Sequence, residues 1–119
     1  MRDFRDLVVW QKGHRLALDV YRATHAFPRH ELFGVTAQLR RSATSFPTNI
    51  AEGCGRSGDR DLARFLSIAA GSASEVEYLL LLSTDLGYLA PEAHAELSAR
   101  VVEVKKMLDA FHRKLTAET

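Results

Sequence analysis

The sequence predicts an all-α protein, one domain over residues 1–119 folded as an antiparallel up-down-up-down bundle of four helices. Three observations carry this. Apolar residues recur at spacings of three and four along four separate stretches, and no run alternates with period two to compete for a strand. The 119 residues hold only seven glycines and three prolines, and five of the glycines fall between Gly53 and Gly87, so long uninterrupted segments fit on either side. The links between stretches are short, so helices adjacent in sequence lie adjacent in space. At 46% apolar residues the chain has material for a core, and disorder is not expected.

The first helix is expected from about Asp6 to Ala26. Val9, Gly13, Leu16, Val20, Ala23 and Phe27 form its apolar stripe, widened by Trp10, Ala17 and Tyr21. Asp3 and Asp6 suit the positive end of a helix, and Pro28 closes the segment. Gly13 costs roughly 1 kcal/mol against alanine, tolerable where another helix comes close. The second helix is expected from near Arg29–Glu31 to about Glu52, its stripe opening with Leu32, Val35 and Leu39. Pro47 falls inside it and should kink it rather than break it, because the apolar stripe keeps phase across the proline. The tract Gly53 to Gly58, GCGRSG, reads as a loop.

The third helix is expected to run to Leu86, with Ser57 or Asp59 as its N-cap and Gly87 as a C-terminal glycine. Leu62, Phe65, Leu66, Ala69, Ala73, Val76 and Leu80 make its core stripe. The small residues of Ser67 to Ser74, SIAAGSAS, permit close approach of a neighbouring helix. Four consecutive leucines, Leu79 to Leu82, cover roughly 300° of a helix. One bundle core faces one side only, so some of them need another cover. The fourth helix begins at Pro91, which suits a first turn, with Glu92 near its positive end. Leu97, Val101, Val104, Leu108, Phe111 and Leu115 follow a heptad. Lys105, Lys106, Arg113 and Lys114 lie toward its negative end, and residues 116–119 should fray.

The stretch from Gln38 to Arg56 carries a second pattern. Leu39, Ala43, Phe46, Ile50 and Cys54 form the apolar stripe. Arg41, Ser45, Asn49, Glu52 and Arg56 form a polar one, offset by two residues or about 200°. One face enters a core and the other meets water, a partner or a ligand. Serine and asparagine are neutral-to-poor helix formers in mid-helix, and a plain exposed face is more cheaply made from Lys, Glu or Ala. A network between subunits or along a pore is therefore expected, with Asn49 and Glu52 bonding across a helix or subunit boundary to Arg41 or Arg56. Glu52 also stands four residues before Arg56, the spacing of a local ion pair.

Composition narrows the function classes. The formal net charge is +1, which gives no global push toward nucleic acid or membrane. The halves differ: residues 1–64 balance at +4 and residues 65–119 at −3, so a basic face on the first half is possible. The single cysteine, Cys54, excludes an intramolecular disulfide and a cysteine-based zinc site, and reads as a core residue. The opening MRDFRDLVVWQKG lacks the apolar core of a signal peptide, and the longest apolar run falls far short of a bilayer span of roughly 20 residues. A cytoplasmic protein without membrane contact is expected. A di-metal carboxylate bundle needs two Glu-x-x-His motifs, and the chain offers only Asp109-x-x-His112, so neither metal nor cofactor is expected. No phosphate loop or nucleophile motif is present, so no catalytic residue is assigned and an enzyme is not expected. Trp10, Tyr21 and Tyr78 at helical spacing read as core or interface.

The chain resembles the small bacterial four-helix bundle proteins first named after intervening sequences in 23S ribosomal RNA genes. The resemblance rests on Phe4-x-x-Leu7-x-Val9-Trp10-Gln11-Lys12, on Phe27-Pro28-x-x-Glu31, and on Gln38-Leu39-Arg40-Arg41-Ser42-Ala43-x-Ser45 with Asn49-Ile50-Ala51-Glu52-Gly53. Ala70-Gly71-Ser72 with Glu75 is similar to the family's third-helix motif. Gly13 stands where the family usually has alanine, and Gly34-Val35 replaces part of an aromatic-glycine-leucine run. The resemblance implies assembly into a toroidal homopentamer. It extends to the accessory protein of diversity-generating retroelements, a related ring that binds nucleic acid and a reverse transcriptase.

The candidate site residues fall in two groups. Ser45, Asn49, Glu52, Gly71, Ser72 and Glu75 are expected in an interface network. Arg40, Arg41, Arg56, Arg60 and Arg64 are candidate phosphate contacts, because guanidinium groups meet phosphate in bidentate fashion and Arg56, Arg60 and Arg64 repeat at four. Repeated around a ring, such a patch makes a strong local field although the net charge is near zero. The expected function is a non-catalytic, ring-forming accessory factor that binds RNA or DNA. The alternative is a scaffold with a protein partner and no nucleic-acid contact.

Overall fold

The structure, a computed structural model, describes residues 2–117. It contains four α-helices: α1 (Val8–Thr24), α2 (Val35–Cys54), α3 (Asp59–Asp85) and α4 (Pro91–Ala117), with 3-10 turns at Phe4–Asp6 and Arg29–Glu31. They form an elongated bundle of 46 × 23 × 20 Å in which α1 and α2, α2 and α3, α3 and α4, and α4 and α1 are neighbours. The α2–α3 interface is the most extensive. This is the all-α four-helix bundle that the periodicity predicts.

The core is built from the predicted stripes. Leu16 and Val20 of α1, Leu39, Phe46 and Ile50 of α2, Leu66, Val76 and Leu80 of α3, and Val101, Val104 and Leu108 of α4 are all buried. Each large side chain so placed contributes roughly 1.5–3 kcal/mol. The buried hydroxyls of Thr24, Ser42 and Ser83 donate back to the carbonyls of Val20, Gln38 and Leu79, so they enter the core without an unmet donor. Ion pairs hold α4 to both neighbours: Arg100 to Asp19 at 2.7 Å, Lys12 to Glu103 at 3.3 Å and Lys105 to Glu77 at 2.9 Å.

Several boundaries differ from expectation. The first segment does not start as α-helix at Asp6. Asp3 accepts from the Arg5 amide and caps a 3-10 turn, and extended Leu7 separates that turn from α1. The segment ends at Thr24 rather than Ala26. The second helix begins at Val35. Arg29–Glu31 is a separate 3-10 turn, and Leu32, placed in the core stripe by its spacing, is exposed. The helix then continues through Pro47 and Gly53 to Cys54, past the expected end at Glu52.

Neither Ser57 nor Asp59 caps α3. Its N-cap is Gly58, with no side-chain bond, while Asp59 and Asp61 place negative charge in the first turn. At the far end Gly87 adopts φ +82, its amide donates to Thr84, and the Tyr88 amide donates to the Ser83 carbonyl. That pairing is a Schellman motif and confirms the expected glycine stop. Phe111, expected on the α4 heptad, is half-buried. Thr116 and Ala117, expected to fray, are helical, and residues 118 and 119 lie outside the described residues.

By length and composition α3 alone among the described helices is long and apolar enough to cross a membrane. In this fold its buried stripe packs against both α2 and α4.

Candidate functional site

The polar stripe of α2 faces two environments. Ser45 and Asn49 are half-buried, whereas Arg41, Glu52 and Arg56 are exposed. The Ser45 hydroxyl lies 2.9 Å from that of Ser72 on α3, joining the two helices. The Asn49 amide nitrogen donates to the Ser45 carbonyl at 2.8 Å and to the Ser45 hydroxyl at 3.0 Å. Three of the six residues expected in an interface network thus form one cluster within the chain. The other three stand apart. Glu52 accepts from Arg56 at 3.1 Å in a local pair, and neither bonds to Asn49. Gly71 and Glu75 are exposed, and a Cβ at Gly71 would meet nothing within 4 Å. The small-residue tract therefore gives no helix of this chain a close approach at Gly71, although Ala69 and Ala73 beside it are buried.

The five candidate phosphate contacts do not form one patch. Arg40 lies on α2, whereas Arg56 lies past the end of that helix, in the loop that leads to α3. Arg40 donates from Nε to the Thr24 hydroxyl at 2.8 Å and sits 4.8 Å over the Tyr21 ring. Arg41 beside it is exposed and has no ion pair among the described residues. At the other end Asp61 bridges Arg56 at 3.7 Å and Arg64 at 3.0 Å, and both guanidinium groups lie over the Phe65 ring. Arg60 is exposed and unpaired among the described residues. It borders a shallow cavity with Ser67 and His112, whose hydroxyl and Nε2 are 3.2 Å apart. Glu52 and Asp61 offset much of the charge that the spacing of Arg56, Arg60 and Arg64 suggests.

Cys54 is a buried core thiol, and burial pushes its pKa up, away from the reactive thiolate. Among the described residues no group of three or more His, Cys, Asp or Glu is placed to hold a metal ion. Two of the aromatic residues assigned to core or interface lie outside the core of the chain. Tyr78 is 59% and Tyr21 45% exposed. Tyr21 and half-buried Trp10 line an α1–α2 cleft whose opposite wall comes from Thr44, Pro47 and Thr48. The spacing of Trp10 and Tyr21 placed them on one helical face. Only the packing of α2 shows that this face is left partly open.

These features define a small antiparallel bundle protein whose central helix pair is sewn by a serine–serine–asparagine cluster. The chain belongs to the 23S rRNA-intervening sequence protein family, whose family model matches residues 5–110. It is similar in structure to a protein of unknown function from the S23 ribosomal protein family of Bacteroides thetaiotaomicron, with a TM-score of 0.79 and 27% identity. The match covers 88% of this chain and 98% of that one. None of the curated proteins compared with the chain matches it.

Proposed function

We propose that the chain is a non-catalytic subunit of a homo-oligomeric ring, a pentamer by family resemblance, which serves in the cytoplasm as a nucleic-acid-binding or ribonucleoprotein accessory factor. The observation that carries the assembly is the outer face of α3. Ile68, Gly71, Glu75, Tyr78 and Leu82 recur at three and four, with Leu81 beside them. Ile68, Tyr78 and Leu81 are exposed and Leu82 is half-buried. The run of leucines exceeds what one core covers, and the missing Cβ of Gly71 flattens the centre of this face. A second copy supplies the cover.

The nucleic-acid role draws on exposed, unpaired Arg41 and Arg60 and on the relative's place in a ribosomal protein family. The scaffold reading draws on the ion pairs that hold Arg56 and Arg64.

Two measurements test this. Sedimentation at micromolar concentration should show a species several times the 13.3 kDa chain, and Ile68→Glu with Leu81→Glu should dissociate it while leaving the helical content unchanged. A wild-type protein sedimenting as a 13.3 kDa monomer removes the ring. Labelled RNA and DNA titrated at about 50 and 200 mM salt should bind and then weaken steeply, as phosphate-driven binding requires. No binding at the lower salt leaves the scaffold.

A further inference from the structure

The α1–α2 cleft has about 350 Å³ of open volume and an aromatic wall. Phe4 packs on Trp10 at 4.7 Å between ring centroids, and Trp10 stacks on His14 at 5.0 Å with the planes 7° apart. Phe4 is tilted 60° to Trp10, so the parallel stack is the Trp10–His14 pair, and it is open on the side of exposed His14. Tyr21 follows seven residues later on the same face of α1, about 10 Å along the axis. Two exposed aromatic rings thus stand in one cleft at a separation that suits successive flat ligands.

Charge selects the ligand. None of the residues lining the cleft is acidic. A guanidinium lies over the aromatic ring at each end, Arg5 over Phe4 at 4.5 Å and Arg40 over Tyr21 at 4.8 Å. Arg5 is shared with Asp3, but Arg40 has no acidic partner among the described residues and spends only its Nε, on Thr24. Arg41 stands three and seven residues before Thr44 and Thr48, on the face of α2 that forms the other wall, exposed and unpaired among the described residues. Planar aromatic surfaces with unneutralised guanidinium groups at their edge are the chemistry of base stacking combined with phosphate contact.

We propose that the α1–α2 cleft is a stacking site for unpaired bases of a single-stranded nucleic acid, with Arg40 and Arg41 holding its phosphates; this rests on the nucleic-acid reading above. Bases stack on His14 and Tyr21, and a duplex, whose bases are already stacked on one another, cannot enter. The site is sequence-tolerant, because every base has a π-face.

Trp10 is the sole tryptophan, so its emission reports the cleft directly. A labelled single-stranded oligothymidine at about 50 mM salt should raise anisotropy and quench Trp10, while a duplex of equal length leaves Trp10 unchanged. Tyr21→Ala should weaken single-strand binding about five- to a hundredfold and Tyr21→Phe should preserve it. Arg41→Ala should lower the salt slope by about one. If neither nucleic acid binds, the nucleic-acid reading falls and this site with it. If anisotropy rises but Trp10 is silent and Tyr21→Ala binds like wild type, the cleft assignment alone is overturned. A Tyr21→Ala protein that loses its assembly would assign the cleft to a second copy of the chain and also overturn the proposal.

Discussion

At Gly13 a Cβ atom would stand 2.5 Å from Cε1 and 2.6 Å from Cδ1 of Phe46, inside any permissible contact. Intrinsic propensity favours alanine over glycine in mid-helix by about 1 kcal/mol, but Phe46 is fully buried and has no room to retreat. The clash decides the sign. Gly13→Ala is expected to destabilise the bundle by about 1–3 kcal/mol in a urea melt. Combining it with Phe46→Leu should recover part of that loss, a coupling that a double-mutant cycle measures. Thr36 presents the opposite case. It is buried and its hydroxyl is the one buried side-chain polar atom without a hydrogen-bond partner among the described residues. Thr36→Val removes an unmet polar group at constant shape and should leave the melting temperature unchanged or raise it.

Asp19 of α1 shows how side-chain chemistry joins elements. It accepts from Arg100 of α4 at 2.7 Å and from Arg22 at 2.8 Å. The Arg100 bond holds its carboxyl below the ordinary carboxylate range, against the opposing effect of burial, and Arg22 adds to the shift. A depressed folded-state pKa means that the stabilisation is present above the unfolded value, about 3.9, and is lost as pH falls through the folded value. Asp19→Asn should therefore cost about 1 kcal/mol at neutral pH. The gap to wild type should close in thermal melts taken progressively below about pH 4.

The four helices were legible because their stripes keep phase with 3.6 residues per turn. The same logic misplaced Leu32, which is in phase with Val35 and Leu39 yet lies before the helix starts. What ends the link there is not local. Glu31 accepts from the Tyr88 hydroxyl at 2.9 Å, a contact made 57 residues away, and its other oxygen faces the Val35 amide at 3.4 Å. That bond pushes the Tyr88 phenol up and pins both links at one end of the bundle. The polar stripe was legible as a face but not as a cluster, because Ser72 reaches Ser45 only through the α2–α3 crossing. Periodicity likewise could not show that Asp61 would share Arg56 with Glu52.

For the whole molecule the question is what covers the apolar residues that the bundle leaves outside. They include Ile68, Tyr78 and Leu81 on α3 and, at the end that carries the α1–α2 link, Phe33, which is 94% exposed, and Leu32, which is 49% exposed. Phe33 precedes Gly34, immediately before α2, so its backbone is anchored by a helix start although its ring touches little. An anchored, solvent-facing ring contributes almost nothing to the fold of one chain. Inserted into a second copy it contributes roughly 1.5–3 kcal/mol, about ten- to a hundredfold in association per contact. The two scales then predict different outcomes for one substitution. Phe33→Ser should leave the melting of a dissociated chain, such as the Ile68→Glu, Leu81→Glu background, within about 0.5 kcal/mol. In the wild-type background it should raise the concentration at which the assembly dissociates by about tenfold or more in sedimentation. Unchanged assembly would place Phe33 outside the contacts of the proposed ring and leave them to α3.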